Sequence, residues 1–188
     1  MIVQLSGPTG SGKSTAANVL HDVGFSIIRE RYANSSPMPN TTTFQSYSFQ
    51  IQKGIMVSRL ESLCAIKGTS LVVIDRSVDE DFHVFCRLFH LIGLLNDEQI
   101  LELFKLYSRV KRKFPQPDRV FFFSAPRDAL RERLCKRGEG KLILDTIDLQ
   151  LDLYREWRQS APLSFIDLDT SRLSLDECRA FMRGAINA

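Results

Sequence analysis

The chain of 188 residues is 44% hydrophobic and 25% charged, with a formal net charge of +3 at pH 7. That length fits a single domain with a substantial core, and the weak charge argues against nucleic acid or a membrane surface as partner. The start MIVQLSG has neither the basic region nor the apolar stretch of a secretory signal, and the most apolar segment, Phe82 to Leu95, is shorter than a membrane span.

Cys64, Cys86, Cys135 and Cys178 stand far apart with no CxxC, and His21, His83 and His90 lack metal-ligand spacing. Free thiols in a reducing cytoplasm are expected, and a protein-bound transition metal is not.

The first expected strand, Ile2 to Leu5, runs into Gly7, Pro8, Thr9, Gly10, Ser11, Gly12, Lys13, Ser14 and Thr15, and the first eight of these satisfy GxxxxGK[ST] between a strand and a helix. Glycines there let backbone N–H groups close around a phosphate, and the following helix adds its positive dipole end. Lys13 would reach the outer phosphates of a nucleoside triphosphate such as ATP, and the Ser14 hydroxyl would ligate Mg²⁺. Gly24 reads as the C-cap of that helix.

A second strand, Phe25 to Arg29, delivers Glu30 to its carboxyl end, either as a general base toward an attacking hydroxyl or as a solvated loop charge paired with Arg29 or Arg31. The amphipathic helix Phe44 to Ile66 carries Gln50, Gln52 and Arg59. Glutamine presents a donor and an acceptor together, which suits the edge of a nucleobase, although an exposed glutamine on a helix face is commoner.

The third strand, Ser70 to Asp75, ends in Asp75 and Arg76. Asp75 there can hold Mg²⁺ directly or through water, and Arg76 can stabilise charge on a transferring phosphoryl group; the bland alternative is a surface ion pair. Phe82 to Leu95 reads as a helix that is apolar nearly all round, hence core or subunit interface. Asn96 caps the next helix, through Phe104 and Tyr107.

A fourth strand, Arg119 to Ser124, precedes a helix that starts at Pro126 and stops before Gly138. Arg133 and Arg137, four apart, share one face of it and lead to Glu139, Gly140 and Lys141, a composition that suits a lid over a triphosphate at about residues 133–145. A fifth strand, Ser164 to Asp167, is followed by a helix opened by Ser174 and Glu177 at capping-box spacing. Alternating strands and helices predict an α/β fold of three layers, with a five-stranded parallel sheet and functional residues just beyond the strand ends.

GPTGSGKST, the carboxylate after the second strand, SFQIQKGIMVSRLESL, IDRSVDEDFHVF, PDRVFFFSAPRDALRERLCKRGE and LDLYREW occur in an order that resembles the deoxynucleoside kinase family, a P-loop kinase group related in fold to thymidylate kinases. The resemblance implies transfer of the γ-phosphoryl of ATP, or another NTP, to the 5′-hydroxyl of a deoxynucleoside, with Mg²⁺. It further implies Glu30 as base, Asp75 and Arg76 near the metal and reacting phosphate, Gln52 and Arg59 in the base pocket, Asp81 as partner of Arg59, and Arg133 and Arg137 on donor phosphates. It also implies a homodimer. Arg31 stands where the family commonly has proline, and Glu139 where another arginine is frequent.

Two other readings remain at this point. One is a deoxynucleoside monophosphate kinase of the thymidylate kinase type, with Arg29, Arg31 or Arg76 clamping the acceptor phosphate. The other is a phosphate-loop regulatory module that signals to a protein partner.

Overall fold

The computed structural model describes residues 1–29, 41–65 and 71–187. Five parallel strands, β1 (Ile2–Ser6), β2 (Ser26–Ile28), β3 (Val72–Asp75), β4 (Arg119–Ser124) and β5 (Phe165–Asp169), form one sheet in the order β2-β3-β1-β4-β5. Each strand expected from an apolar run is present, and β5 extends two residues further than its run suggested, to Asp169.

Helices α1 (Lys13–Asp22) and α9 (Leu175–Asn187) cover one face. There Val3, Leu5, Val73, Phe121, Phe123 and Leu168 meet Ala16, Ala17, Leu20 and Met182. On the other face Phe122 packs with Leu153, Tyr154 and Trp157 of α8 (Ile147–Ser160) and with Val84 and Leu88. Phe121, Phe122 and Phe123 thus alternate between two cores, as strand periodicity requires in a sheet covered on both sides.

Further out, α2 (Thr41–Ala65) lies against α5 (Asp97–Lys111). Asn96 Oδ1 accepts a hydrogen bond from Gln99 N at 2.9 Å, and Asn96 N donates one in return to Gln99 Oε1 at 3.0 Å, the expected cap of α5. Ser174 and Glu177 exchange the same pair of bonds at the start of α9, at 2.8 and 3.3 Å.

The segment expected as one helix from Phe82 to Leu95 is divided. A short α3 (Val78–Glu80) passes into a π-helical turn over Asp81–Cys86, and α4 (Arg87–Leu91) follows. Phe82, Val84, Cys86, Leu88 and Leu95 are buried, so this segment belongs to the core. In the lid region α6 (Arg127–Lys136) starts after Pro126 and stops before Gly138, as expected, with Gly138 at a φ of 71°, and a short α7 (Lys141–Asp145) follows.

Candidate active site

The carboxyl ends of β1, β3, β4 and β5 open into a cleft of about 1050 Å³. Its position is the one where ligands collect in open parallel sheets, since the connection from β1 runs to β2 on one side and the connection from β3 crosses to β4 on the other.

The phosphate loop forms its floor. Gly7 has φ 133°, and a Cβ there would lie 2.2 Å from the Phe123 carbonyl oxygen, so only glycine lets the loop pass β4. Gly12 stands at φ 97° just before α1. The Ala16 N–H closes onto Gly12 O at 3.1 Å, and helix geometry directs the N–H groups ahead of it out of the helix end toward the cleft.

Lys13 is folded into the loop, its Nζ donating to Gly7 O at 2.6 Å and Pro8 O at 2.8 Å. An ammonium already desolvated against two carbonyl oxygens exchanges them for phosphate oxygens with little further loss of hydration. Thr9, Gly10, Gly12, Ser14 and Thr15 line the cleft, whereas the side chain of Ser11 is buried beneath it.

Asp75 and Ser14 meet across the cleft, with Ser14 Oγ donating to Asp75 Oδ2 at 3.4 Å. Two hard oxygen donors side by side, at the mouth of a phosphate loop, fit Mg²⁺, which prefers few protein oxygens together with water and phosphate.

Arg76, next along the chain, has the left-handed φ of 62°, uncommon for a side chain with a Cβ. This backbone turn directs its guanidinium over the Phe85 ring, 4.3 Å from the centroid, and lets Nη2 donate to Thr9 Oγ1 at 3.1 Å.

The far end of the cleft is lined by Ile51, Gln52, Ile55, Asp81, Phe85 and Leu88 among others. Here Arg59 Nη2 donates to Asp81 Oδ1 at 2.9 Å and Nε pairs with Oδ2, a bidentate ion pair with Arg59 fully buried. Arg59 Nη1 donates to the Asp75 carbonyl at 3.0 Å. The expected partnership of Arg59 and Asp81 is therefore present, but Asp81 lines the cleft and Arg59 stands behind it. Gln52 is buried with its Oε1 3.6 Å from the Cys86 thiol, and burial raises the pKa of that thiol, keeping it a donor.

At the donor end Arg133 donates to Gly10 O at 3.3 Å and, through Nη1 and Nη2, to Thr170 Oγ1 and Thr170 O at 2.9 Å each. Arg137 lines the cleft further out, exposed and paired with Glu139 at 2.8 Å. Glu30 and Arg31 lie outside the described residues, while Arg29 immediately before them lines the cleft and donates to Asn18 Oδ1 at 2.5 Å.

Several residues at the site carried no sequence signal. Thr170, one residue beyond β5, obeys the strand-end rule but fell past the expected end of the strand. Gln150 of α8 accepts from Thr9 N at 2.7 Å, and Glu80 lies buried under the loop. Among the described residues no group of three or more His, Cys, Asp and Glu side chains suits a metal, and no helix is long and apolar enough to cross a membrane.

The model of the deoxynucleoside kinase family matches residues 3–181. A probable deoxycytidine kinase of Fowlpox virus (strain NVSL) is 23% identical over 171 residues, spanning 82% of this chain and 70% of the relative. Two solved structures of deoxyadenosine kinase from M. mycoides, one with bound dATP and one with bound dCTP, share the fold at TM-scores of 0.78 and 0.76 and 18% identity. They cover 100% of this chain, which in turn covers 100% and 99% of theirs. With a phosphate loop, an Asp-Arg-Ser turn beside it and a family match along nearly its whole length, the chain belongs to the deoxynucleoside kinases, a family of phosphotransferases.

Proposed function

We propose that the protein moves the γ-phosphoryl group of ATP, or a similar triphosphate, to the 5′-hydroxyl of a deoxynucleoside. The observation that carries this reading is a single cleft with a phosphate loop at one end, the buried Gln52 and the Arg59–Asp81 pair at the other, and Asp75 and Arg76 between. Reacting groups held at opposite ends of one crevice meet in its middle, and such positioning supplies most of the rate in phosphoryl transfer.

The donor phosphates rest on the N–H groups of Gly10 to Thr15 and on Lys13, and Arg133 and Arg137 close over them from the lid at about residues 133–145. Ser14 and Asp75 would hold Mg²⁺, which would supply positive charge to offset that of the donor phosphates. Gln52 pairs with the base, Asp81 bounds its pocket, and Arg59 fixes Asp81 in orientation. Glu30 takes the proton of the 5′-hydroxyl; supporting this is its place directly after Arg29, which lines the cleft. Arg76 neutralises charge on the group in flight.

Tyr47, Val57, Leu101 and Phe104 expose apolar surface on α2 and α5, and we assign the homodimer contact to these two packed helices. Free thiols at Cys86, Cys135 and Cys178 agree with a reducing, cytoplasmic setting.

Incubation with ATP, MgCl₂ and each deoxynucleoside, followed by mass analysis, tests the reading. A deoxynucleoside 5′-monophosphate is the expected product. Products formed from monophosphates alone would instead support the thymidylate kinase-like alternative, with Arg29 on the acceptor phosphate.

A further inference from the structure

Asp79, Glu80 and Asp81 look in sequence like a solvated acidic run, yet all three are buried. Successive residues of a helical turn point in directions about 100° apart, so each meets a different neighbour. Asp79 pairs with Lys111 and accepts from Tyr107 at 2.7 Å, and Asp81 pairs with Arg59.

Glu80 turns under the phosphate loop. Its Oε1 accepts from Gly7 N at 3.2 Å and from Tyr154 OH at 2.9 Å. Its Oε2 accepts from Ser6 Oγ at 2.9 Å and from Ser77 N at 3.0 Å. One side-chain carboxylate therefore ties the last residue of β1 and the first glycine of the loop to the residue after Arg76.

The tie to Ser77 matters because Arg76 is in a left-handed conformation, which is unfavourable for a residue with a Cβ and persists only where the surroundings hold it. The Ser77 side chain and Glu80 form a reciprocal capping box at the start of α3, fixing the chain just past Arg76. On the far side, α8 braces the assembly twice, through Tyr154 on Glu80 and Gln150 on Thr9 N.

We propose that Glu80 is a positioning residue for phosphoryl transfer: it fixes the separation and mutual orientation of the phosphate loop and Arg76, without touching either substrate. The inference rests on the kinase reading above. Burial pushes the carboxyl pKa above its ordinary value, against the smaller lowering effects of nearby Lys13 and Arg76 and of the Ser77 and Ser6 donors. An isosteric neutral side chain keeps the volume but puts an amide NH₂ against at least one fixed backbone donor.

The test is the single-turnover rate constant of transfer, with enzyme in excess, for Glu80→Gln and for Tyr154→Phe. In that format a misfolded fraction lowers the amplitude while the rate constant reports intact molecules. We expect Glu80→Gln to lower the rate constant by at least about tenfold, with the Kd for ATP within about threefold of wild type. Tyr154→Phe, which leaves the carboxylate and its other donors, lowers it by about three- to fivefold and decides the matter if Glu80→Gln does not fold. In the double variant with Arg76→Lys the effects should fail to multiply.

Rate constants within about twofold of wild type, or a loss of ATP affinity as large as the loss of rate, would overturn the proposal. The acceptor is whichever of nucleoside and monophosphate the wild type uses. Activity on monophosphates alone thus overturns the acceptor reading and leaves the test of Glu80 standing.

Discussion

Asp81→Ala leaves the Arg59 guanidinium fully buried without the carboxylate that both Nε and Nη2 engage. Removing one partner of a buried ion pair costs about 3–5 kcal/mol, because the charge that stays behind is neither solvated nor neutralised. For a protein of this size each kcal/mol moves the melting temperature by about 2–4 °C, so a fall of about 6–20 °C is expected. Urea unfolding followed by circular dichroism, with and without a companion Arg59→Met/Asp81→Leu double replacement, separates charge burial from lost packing. The double variant should recover most of the stability, since apolar groups of similar volume can replace a buried pair at little cost. It should nevertheless lose activity through the base pocket. A single variant destabilised by less than about 1 kcal/mol, or a double variant no more stable than the single, would refute the reasoning.

Four further outcomes are expected. Glu30→Gln should leave nucleotide binding by calorimetry nearly intact while turnover collapses by at least about a hundredfold, within the range general base catalysis supplies; unchanged turnover removes Glu30 from the role. Gly7→Ala places a Cβ 2.2 Å from the Phe123 carbonyl oxygen, so the variant should lose ATP binding and melt lower, and a wild-type Kd would show that the loop does not need this approach. Glu139→Ala frees the exposed Arg137 from its ion pair with the partly buried Glu139, worth about 0.2–1 kcal/mol, so KM for ATP should fall by about 1.4- to fivefold; a rise would mean that Glu139 orients the arginine usefully. Burial lowers the pKa of His83 below its ordinary 6.5, so as pH drops from 6.5 the unfolded chain takes up a proton that the folded one refuses, and stability declines. Urea midpoints at pH 7.5 and 5.5 should converge for His83→Gln relative to wild type, and an unchanged difference would deny this histidine the effect.

Much of the fold was legible because its signals are local. Apolar runs marked the buried strands, Asn96 marked a helix start, and the spacing of glycines around Lys13 marked the phosphate loop. What could not be read depends on neighbours distant in sequence. The π-turn at Asp81–Cys86 keeps nearly the same apolar pattern as an α-helix, so periodicity does not separate them. Asp79 and Glu80 find their partners on α5, α8 and β1, which no pattern within the chain segment announces. The same holds at the site. The motifs placed Asp75 and Arg76 beside the loop, but the burial of Arg59 behind Asp81 comes from the way α2 packs over the carboxyl end of β3.

The most direct test of the central claim is ADP release from ATP with Mg²⁺, measured on the wild-type protein with deoxyadenosine, deoxycytidine, deoxyguanosine and thymidine beside their 5′-monophosphates. The account predicts release driven by at least one deoxynucleoside and none by the monophosphates. Release with monophosphates alone would contradict it.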